Sequence, residues 1–150
     1  EMCIRDSNIS AGCPNLIERI EGGLFSYGNE MTRENNPFEI GHGKFCVTDG
    51  SIDYIGRAAL QKIAAEGVTR EIRGVVFGGD PCPTCAKPWP VLVGDLQIGQ
   101  ITSGIWSPRL KKNIGQSMID RNFWESGQAI KVALPDGSIR HGNVAALPIS

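Results

Sequence analysis

The sequence predicts an α+β chain in two parts, and three observations carry that reading. Helical periodicity occupies residues 14–25 and again 54–66. Short apolar runs separated by Gly, Pro and Asp turns fill everything after residue 70. Nineteen glycines and nine prolines in 150 residues favour many turns, while 41% hydrophobic content is enough for a sizeable core. The division falls near residues 67–70, giving a first part over 8–68 and a small all-β domain, a barrel or a sandwich, over 69–150.

In chain order, Pro14 suits a first helical turn, where its missing N–H costs nothing, and Leu16, Ile17, Ile20 and Leu24 repeat at helical spacing. Gly22-Gly23 lies inside or at the end of that helix, where the lack of side chains permits close approach of a backbone or a flat ligand. Residues 29–41 read as loop with a helical turn after Pro37, and Lys44–Thr48 as a strand. Asp53 is the expected N-cap of the second helix, Ala58, Ala59, Leu60, Ile63 and Ala64 its apolar stripe, and Gly67 its stop. Val68–Arg73 leads into a strand at Gly74–Phe77. Further strands are expected at 91–93, 97–102, 113–120, 129–134 and 139–145, with Pro135-Asp136-Gly137 as a hairpin turn. Thr102-Ser103-Gly104 and Trp106-Ser107-Pro108 flank what reads as a glycine turn.

A net charge of −1 gives no electrostatic footprint for nucleic acid, and no apolar run is long enough for a membrane span. Small molecules are the expected partners. Glu1–Ser7 resembles the translated end of a transposase adapter from sequencing libraries, so this heptad and its Cys3 are set aside and the natural N-terminal part is expected to be missing. Cys13, Cys46, Cys82 and Cys85 are irregularly spaced, as expected of reduced cytoplasmic thiols. Cys82-Pro83-Thr84-Cys85 has no second pair to complete a zinc site and sits among prolines rather than opening a helix, so no metal or redox role is expected. His42 and His141 lie in different parts of the chain and neither pairs with a nucleophile.

The most informative stretch is Cys13–Gly41. A helix carrying Arg19 and Glu21 among apolar neighbours is costly unless the charges meet something, and a polar ligand is the reading favoured here. Arg19-Ile20-Glu21-Gly22-Gly23, Tyr27-Gly28 and Pro37-Phe38-Glu39-Ile40-Gly41 resemble the folate-binding region of the aminomethyltransferase family, typified by the T-protein of the glycine cleavage system. Asp53-Tyr54-Ile55-Gly56-Arg57-Ala58-Ala59-Leu60, Ile98–Pro108 and the closing Leu147-Pro148-Ile149 match further family motifs in order, so the resemblance covers nearly all of residues 12–148. The wording of Asn15–Glu21 is closer to the dimethylsulfoniopropionate demethylase branch than to the T-proteins.

The resemblance implies the C-terminal end of a folate-binding α/β domain followed by a β-barrel domain, with tetrahydrofolate as cofactor and a small-molecule methyl donor as partner. Within it Arg19, Glu21, Tyr27 and Trp106 are the candidate cofactor-binding residues. Arg19 has two uses open to it, gripping a pterin edge or folate carboxylate, or pairing internally with Glu21 or Glu18. Glu21 is expected to orient Arg19 or cap nearby amides. Tyr27 and Trp106 would either line the cleft or pack in the core. No catalytic or metal-binding residue is expected in this chain, because the family's catalytic aspartate belongs upstream. Without the upstream sheets, Leu16, Ile20 and Leu24 are expected to face water.

Demethylation of dimethylsulfoniopropionate onto tetrahydrofolate is the implied activity. Alternatives are a glycine-cleavage T-protein, the folate domain of a dimethylglycine or sarcosine dehydrogenase, and a folate-binding protein without catalysis. The Lys-Gly-Cys-x-x-Gly-Gln signature of related iron–sulfur assembly proteins is absent, since Tyr54-Ile55-Gly56-Arg57 stands there.

Overall fold

A computed structural model describes residues 12, 14–50 and 52–149. The adapter-like heptad Glu1–Ser7 and Cys13 lie outside the described residues. Six strands, β1 (Arg70–Phe77), β2 (Trp89–Val93), β3 (Leu96–Ser107), β4 (Lys112–Asp120), β5 (Ala129–Ala133) and β6 (Ile139–Ala145), close into a barrel in the order β1-β4-β3-β2-β5-β6. Every pairing around the barrel is antiparallel. The all-β part is thus a barrel and not a sandwich. Gly137, at φ +84°, turns the β5–β6 hairpin and donates its N–H to the Leu134 carbonyl at 3.0 Å.

The interior is filled by Val75, Phe77, Trp89, Val91, Ile98, Ile101, Ile119, Ile130, Val132 and Val144. Alternation along the strands sends one set inward and leaves a second set outside. Gly104 and Gly115 face each other across β3 and β4. A Cβ on Gly104 would meet the Trp89 ring at 2.9 Å, and one on Gly115 would meet Ile101 at 2.8 Å. Gly104 thus makes room for Trp89, the largest interior side chain, and Gly115 for Ile101. The expected glycine turn at 102–108 is therefore corrected: the segment is the continuous second half of β3, with one bulge between Ile101 and Ser103.

Outside the barrel, α1 (Leu16–Glu21) lies against β3 and β4. Asn15 and Glu18 form a reciprocal capping box at its start. Its end is set by Gly23 at φ +68°, with the Leu24 N–H on the Arg19 carbonyl at 2.9 Å and the Gly23 N–H on Ile20 at 3.2 Å. That is the glycine-terminated helix stop, and it explains why the helix is shorter than the 14–25 expected. Ile20 is wholly buried with Ile114 and Ile149, while Leu16, Ile105 and Leu147 pack at the edge. The expectation that Leu16, Ile20 and Leu24 face water fails for Ile20, because the barrel wall itself covers it. Leu24 is 50% exposed.

α2 (Arg57–Glu66) buries none of its residues. It starts later than expected, after Gly56 at φ +91°, and no side chain caps it, so Asp53 is not its N-cap. Lys44–Thr48 is not a strand. Gly43–Phe45 forms a 3₁₀ turn, and the carbonyls beyond it are satisfied by side chains: Tyr54 Oη donates to Val47 O at 2.6 Å and Gln61 Nε2 to Thr48 O at 2.7 Å.

Candidate functional site

Three buried carboxylates order the segment before the barrel: Glu21 and Glu39 tie it to the barrel part, and Glu30 holds Arg19 where it reaches β3. Glu30, whose side chain is completely buried, takes both arms of the Arg19 fork, from Nη1 at 3.0 Å and Nη2 at 3.3 Å, together with the Ser26 N–H at 2.6 Å. Arg19 Nη1 also donates to Leu24 O at 3.0 Å, and Nη2 to Ser103 Oγ on β3 at 2.7 Å. Glu21 accepts from the Ser107 hydroxyl at 2.5 Å and from Arg109 Nε at 2.7 Å. Glu39 pairs with Arg70 at 3.0 Å and its carbonyl accepts from the Ile72 N–H at 2.7 Å. Each pair satisfies a charge that burial alone would make expensive.

The first two connections share one geometry. Beyond the bulge, β3 turns Ser103, Ile105 and Ser107 outward in alternation. α1 presents Arg19, Ile20 and Glu21 to them: a polar contact at each end, and between them Ile105 packed into the Ile20 cluster. The Ser107 hydrogen bond holds the Glu21 carboxyl below the ordinary carboxylate value against an opposing effect of burial, and Arg109 adds to the lowering.

Beside Arg19 lies a cleft of about 390 Å³ whose walls include Thr84, Cys85 and Lys87 from the β1–β2 loop and Thr102 and Ser103 from β3. Of the four candidate cofactor-binding residues, Arg19 lines this cleft; Glu21, Tyr27 and Trp106 do not. Glu21 is turned to Ser107 and Arg109, so it neither orients Arg19 nor caps amides through its carboxylate. Tyr27 is 66% exposed beside Gly28, which reaches the cleft wall. Trp106 is half-buried on β3, opposite Asn113 of β4.

Arg19 does form an internal ion pair, but with Glu30 rather than Glu18 or Glu21. Sequence reasoning missed Glu30, Ser103, Ser107 and Arg109 as partners. The signal for Glu30 was there: a carboxylate three residues after Tyr27 in a polar loop, within reach of the only arginine in the preceding helix.

Cys82 and Cys85 pack at one end of the core, Cys82 buried and Cys85 half-buried. Burial raises the Cys82 thiol and pushes Cys85 up to about 11, with the neighbouring Cys82 adding to the latter. Both shifts favour the thiol over the thiolate, which makes the two cysteines poor nucleophiles. Among the described residues, no group of three or more His, Cys, Asp or Glu side chains is placed to hold a metal ion. His42 Nδ1 sits 2.8 Å from the Ile40 carbonyl, and His141 is exposed on β6. No helix among the described residues is long and apolar enough to cross a membrane.

Fold and site together define a small antiparallel-barrel domain with a capped helix stitched to its outer wall and a polar cleft at the seam. The chain belongs to the glycine cleavage T-protein family: residues 70–149 match the glycine cleavage T-protein C-terminal barrel domain. It is 50% identical over 132 residues to the dimethylsulfoniopropionate demethylase DmdA of Ruegeria pomeroyi, covering 88% of this chain and 35% of that protein. It is 36% identical over 114 residues to an aminomethyltransferase of Bacillus pumilus, covering 76% of this chain and 31% of the relative. The chain thus spans about a third of the length of the curated relatives it matches. The crystal structure of glycine cleavage system aminomethyltransferase T from Bartonella henselae shares the fold, with a TM-score of 0.72 at 18% identity over 88% of this chain and 37% of that one.

Proposed function

We propose that this chain supplies one wall of the folate cleft of a tetrahydrofolate-dependent methyltransferase that demethylates dimethylsulfoniopropionate. The observation that carries the reading is the 50% identity to the demethylase, against 31–36% for the aminomethyltransferases, over a match extending well upstream of residues 70–149. The cleft supports it chemically. Its volume lies within the range of small-molecule sites, and its donors suit carboxylates and a heterocycle edge: the Lys87 ammonium and the hydroxyls of Thr84 and Thr102, beside the Arg19–Glu30–Ser103 group.

On this reading residues 8–68 belong to the folate-binding domain and 69–150 form the barrel domain. Arg19, both of whose Nη groups are engaged by Glu30, Leu24 and Ser103, offers the cofactor the face of a fixed guanidinium and no free fork, while Glu21 acts one step removed by fastening α1 to β3. Tyr27, next to the lining residue Gly28, is where a longer ligand would reach; Trp106 would touch the cofactor only if it extends beyond this cleft. In the reaction the S–CH3 bond of the sulfonium would break with its electron pair left on a neutral thioether, the methyl would bond to N5 of tetrahydrofolate, and the N5 proton would be released to water. This chain's residues position that reaction and do no acid–base work in it, in a cytoplasmic enzyme of one-carbon metabolism.

The test is expression of the full reading frame that carries this chain, assayed with tetrahydrofolate and a panel of methyl donors. Formation of 5-methyltetrahydrofolate from dimethylsulfoniopropionate is the expected result. Turnover only of nitrogen-linked one-carbon donors would place the protein with the aminomethyltransferases, and folate binding without turnover of any donor would make it a binding protein.

A further inference from the structure

The Cys-Pro-Thr-Cys-Ala-Lys loop between β1 and β2 is fixed to the barrel at both of its cysteines. The Cys82 N–H donates to Oδ1 of Asn113 at 2.8 Å, and this fully buried asparagine donates in turn to the Gly78 and Asp80 carbonyls at 3.2 and 3.1 Å. The Cys85 N–H donates to the Gly104 carbonyl at 2.9 Å, and its thiol to the Lys87 carbonyl at 3.1 Å. What the anchored loop carries to the cleft wall is Lys87.

The charge balance of the cleft singles that residue out. Two cationic side chains line it, Arg19 and Lys87. Arg19 is neutralised by Glu30, a carboxylate with no exposed side-chain surface. Among the described residues Lys87 has no carboxylate within ion-pair distance. Lys87, an exposed residue of the cleft wall, is therefore the lining cation without a carboxylate partner among the described residues, and such a charge beside a concave, partly polar space attracts anions.

We infer that Lys87 is the carboxylate-binding residue of the cleft, presented by a loop whose cysteines are anchors and not reactive groups. An ammonium on a flexible stem suits a terminal carboxylate, which needs a point charge and no bidentate fork. The identity of that carboxylate rests on the function proposed above: it is the glutamate tail of the folate or the propionate of the methyl donor.

The test uses the full-length protein and acylation of lysine amines, quantified at Lys87 and at the exposed control Lys62 by peptide mass spectrometry. Tetrahydrofolate, dimethylsulfoniopropionate and glutarate are the three competitors. Protection of Lys87 but not Lys62 is expected, together with a loss of affinity of about tenfold in Lys87→Glu and retention within about threefold in Lys87→Arg, the size of one charge-assisted hydrogen bond. Protection by folate alone identifies the glutamate tail, and by the methyl donor alone the propionate. Protection by glutarate in a protein that binds neither would sustain the Lys87 assignment and remove the proposed function. Equal labelling of Lys87 with and without all three compounds, or unchanged ligand affinity in Lys87→Glu, would overturn it.

Discussion

The barrel and the segment that precedes it are held by different physics. Inside the barrel, Phe77, Trp89, Val91, Ile101 and Val132 exclude water from a contiguous apolar interior. The segment from Pro14 to His42 is fastened to the barrel by two arginine–glutamate pairs, Glu21–Arg109 and Glu39–Arg70, and by the Arg19–Ser103 hydrogen bond, with Ile20 as its one fully buried apolar side chain among the described residues. Further along, Phe45, Val47, Ile52 and Ile55 are exposed, at 68%, 56%, 72% and 104%. Non-directional burial tolerates small shifts, whereas charged pairs demand registry. The preceding segment is therefore placed with more geometric definition, and less stabilisation, than the barrel it sits on.

The comparison breaks first where the barrel is emptied. Trp89→Ala is expected to destabilise the chain by about 3–5 kcal/mol, read as a shift in the urea midpoint, and a loss below about 1 kcal/mol would mean the interior is looser than the packing implies. Glu30→Ala leaves the Arg19 fork without its buried partner, with an expected cost of about 2 kcal/mol, and Glu30→Gln should recover part of it. If the first variant is neutral, the polar seam contributes registry alone.

Cys82→Ser places a hydroxyl where a buried thiol packs against the core, for about 1–2 kcal/mol, while Cys85→Ser, half exposed, should cost less. The order of the two is the informative part. The Glu21 carboxyl titrates lower when folded than its ordinary value of 4.5. Its stabilising effect is therefore present above that value and fades as pH falls through the lower folded one. Ser107→Ala should flatten the acid limb of the stability profile, measured as thermal midpoint between pH 6 and pH 3, buffer settings chosen to bracket the titration. The smallest effect is expected at Phe45→Ser, within about 0.5 kcal/mol, and amides of α2 should exchange with solvent well before those of β3 and β4.

The same contrast decides what could be read from the residues. Strands β1, β2, β4, β5 and β6 were legible because apolar runs met unambiguous turns, as at Pro135-Asp136-Gly137. The second half of β3 was not, since Ser103, Gly104 and Ser107 are turn formers by local preference. Only the tertiary partners Trp89, Arg19 and Glu21 explain them in a strand. Lys44–Thr48 has the composition of a strand and lacks a neighbour to pair with, which no local pattern reveals. For the site, Arg19 was legible as a charge needing a partner. Glu30, eleven residues on, and Ser103, eighty-four residues on, were not, because the loop and the bulge that deliver them are products of the fold.

The bulge at Thr102 has a consequence for how this gene can change. It is the one extra residue that lets Ile101 point into the barrel while Ser103 and Ser107 point at the helix. Were Thr102 kept but drawn into the regular ladder, alternation would run on from Ile101 and invert everything downstream on β3: both serines would turn into the apolar interior, and Ile105 would exchange places with its glycine neighbour; loss of the Thr102 codon would instead leave Ser103, Ile105 and Ser107 facing the helix. This strand can therefore lose Thr102 and keep its two faces, but it cannot keep Thr102 and lose the bulge. Wherever the helix and barrel remain joined in this way, the facing of the Ser103 and Ser107 positions should stay constant, and a bulge should accompany the extra residue whenever it is present.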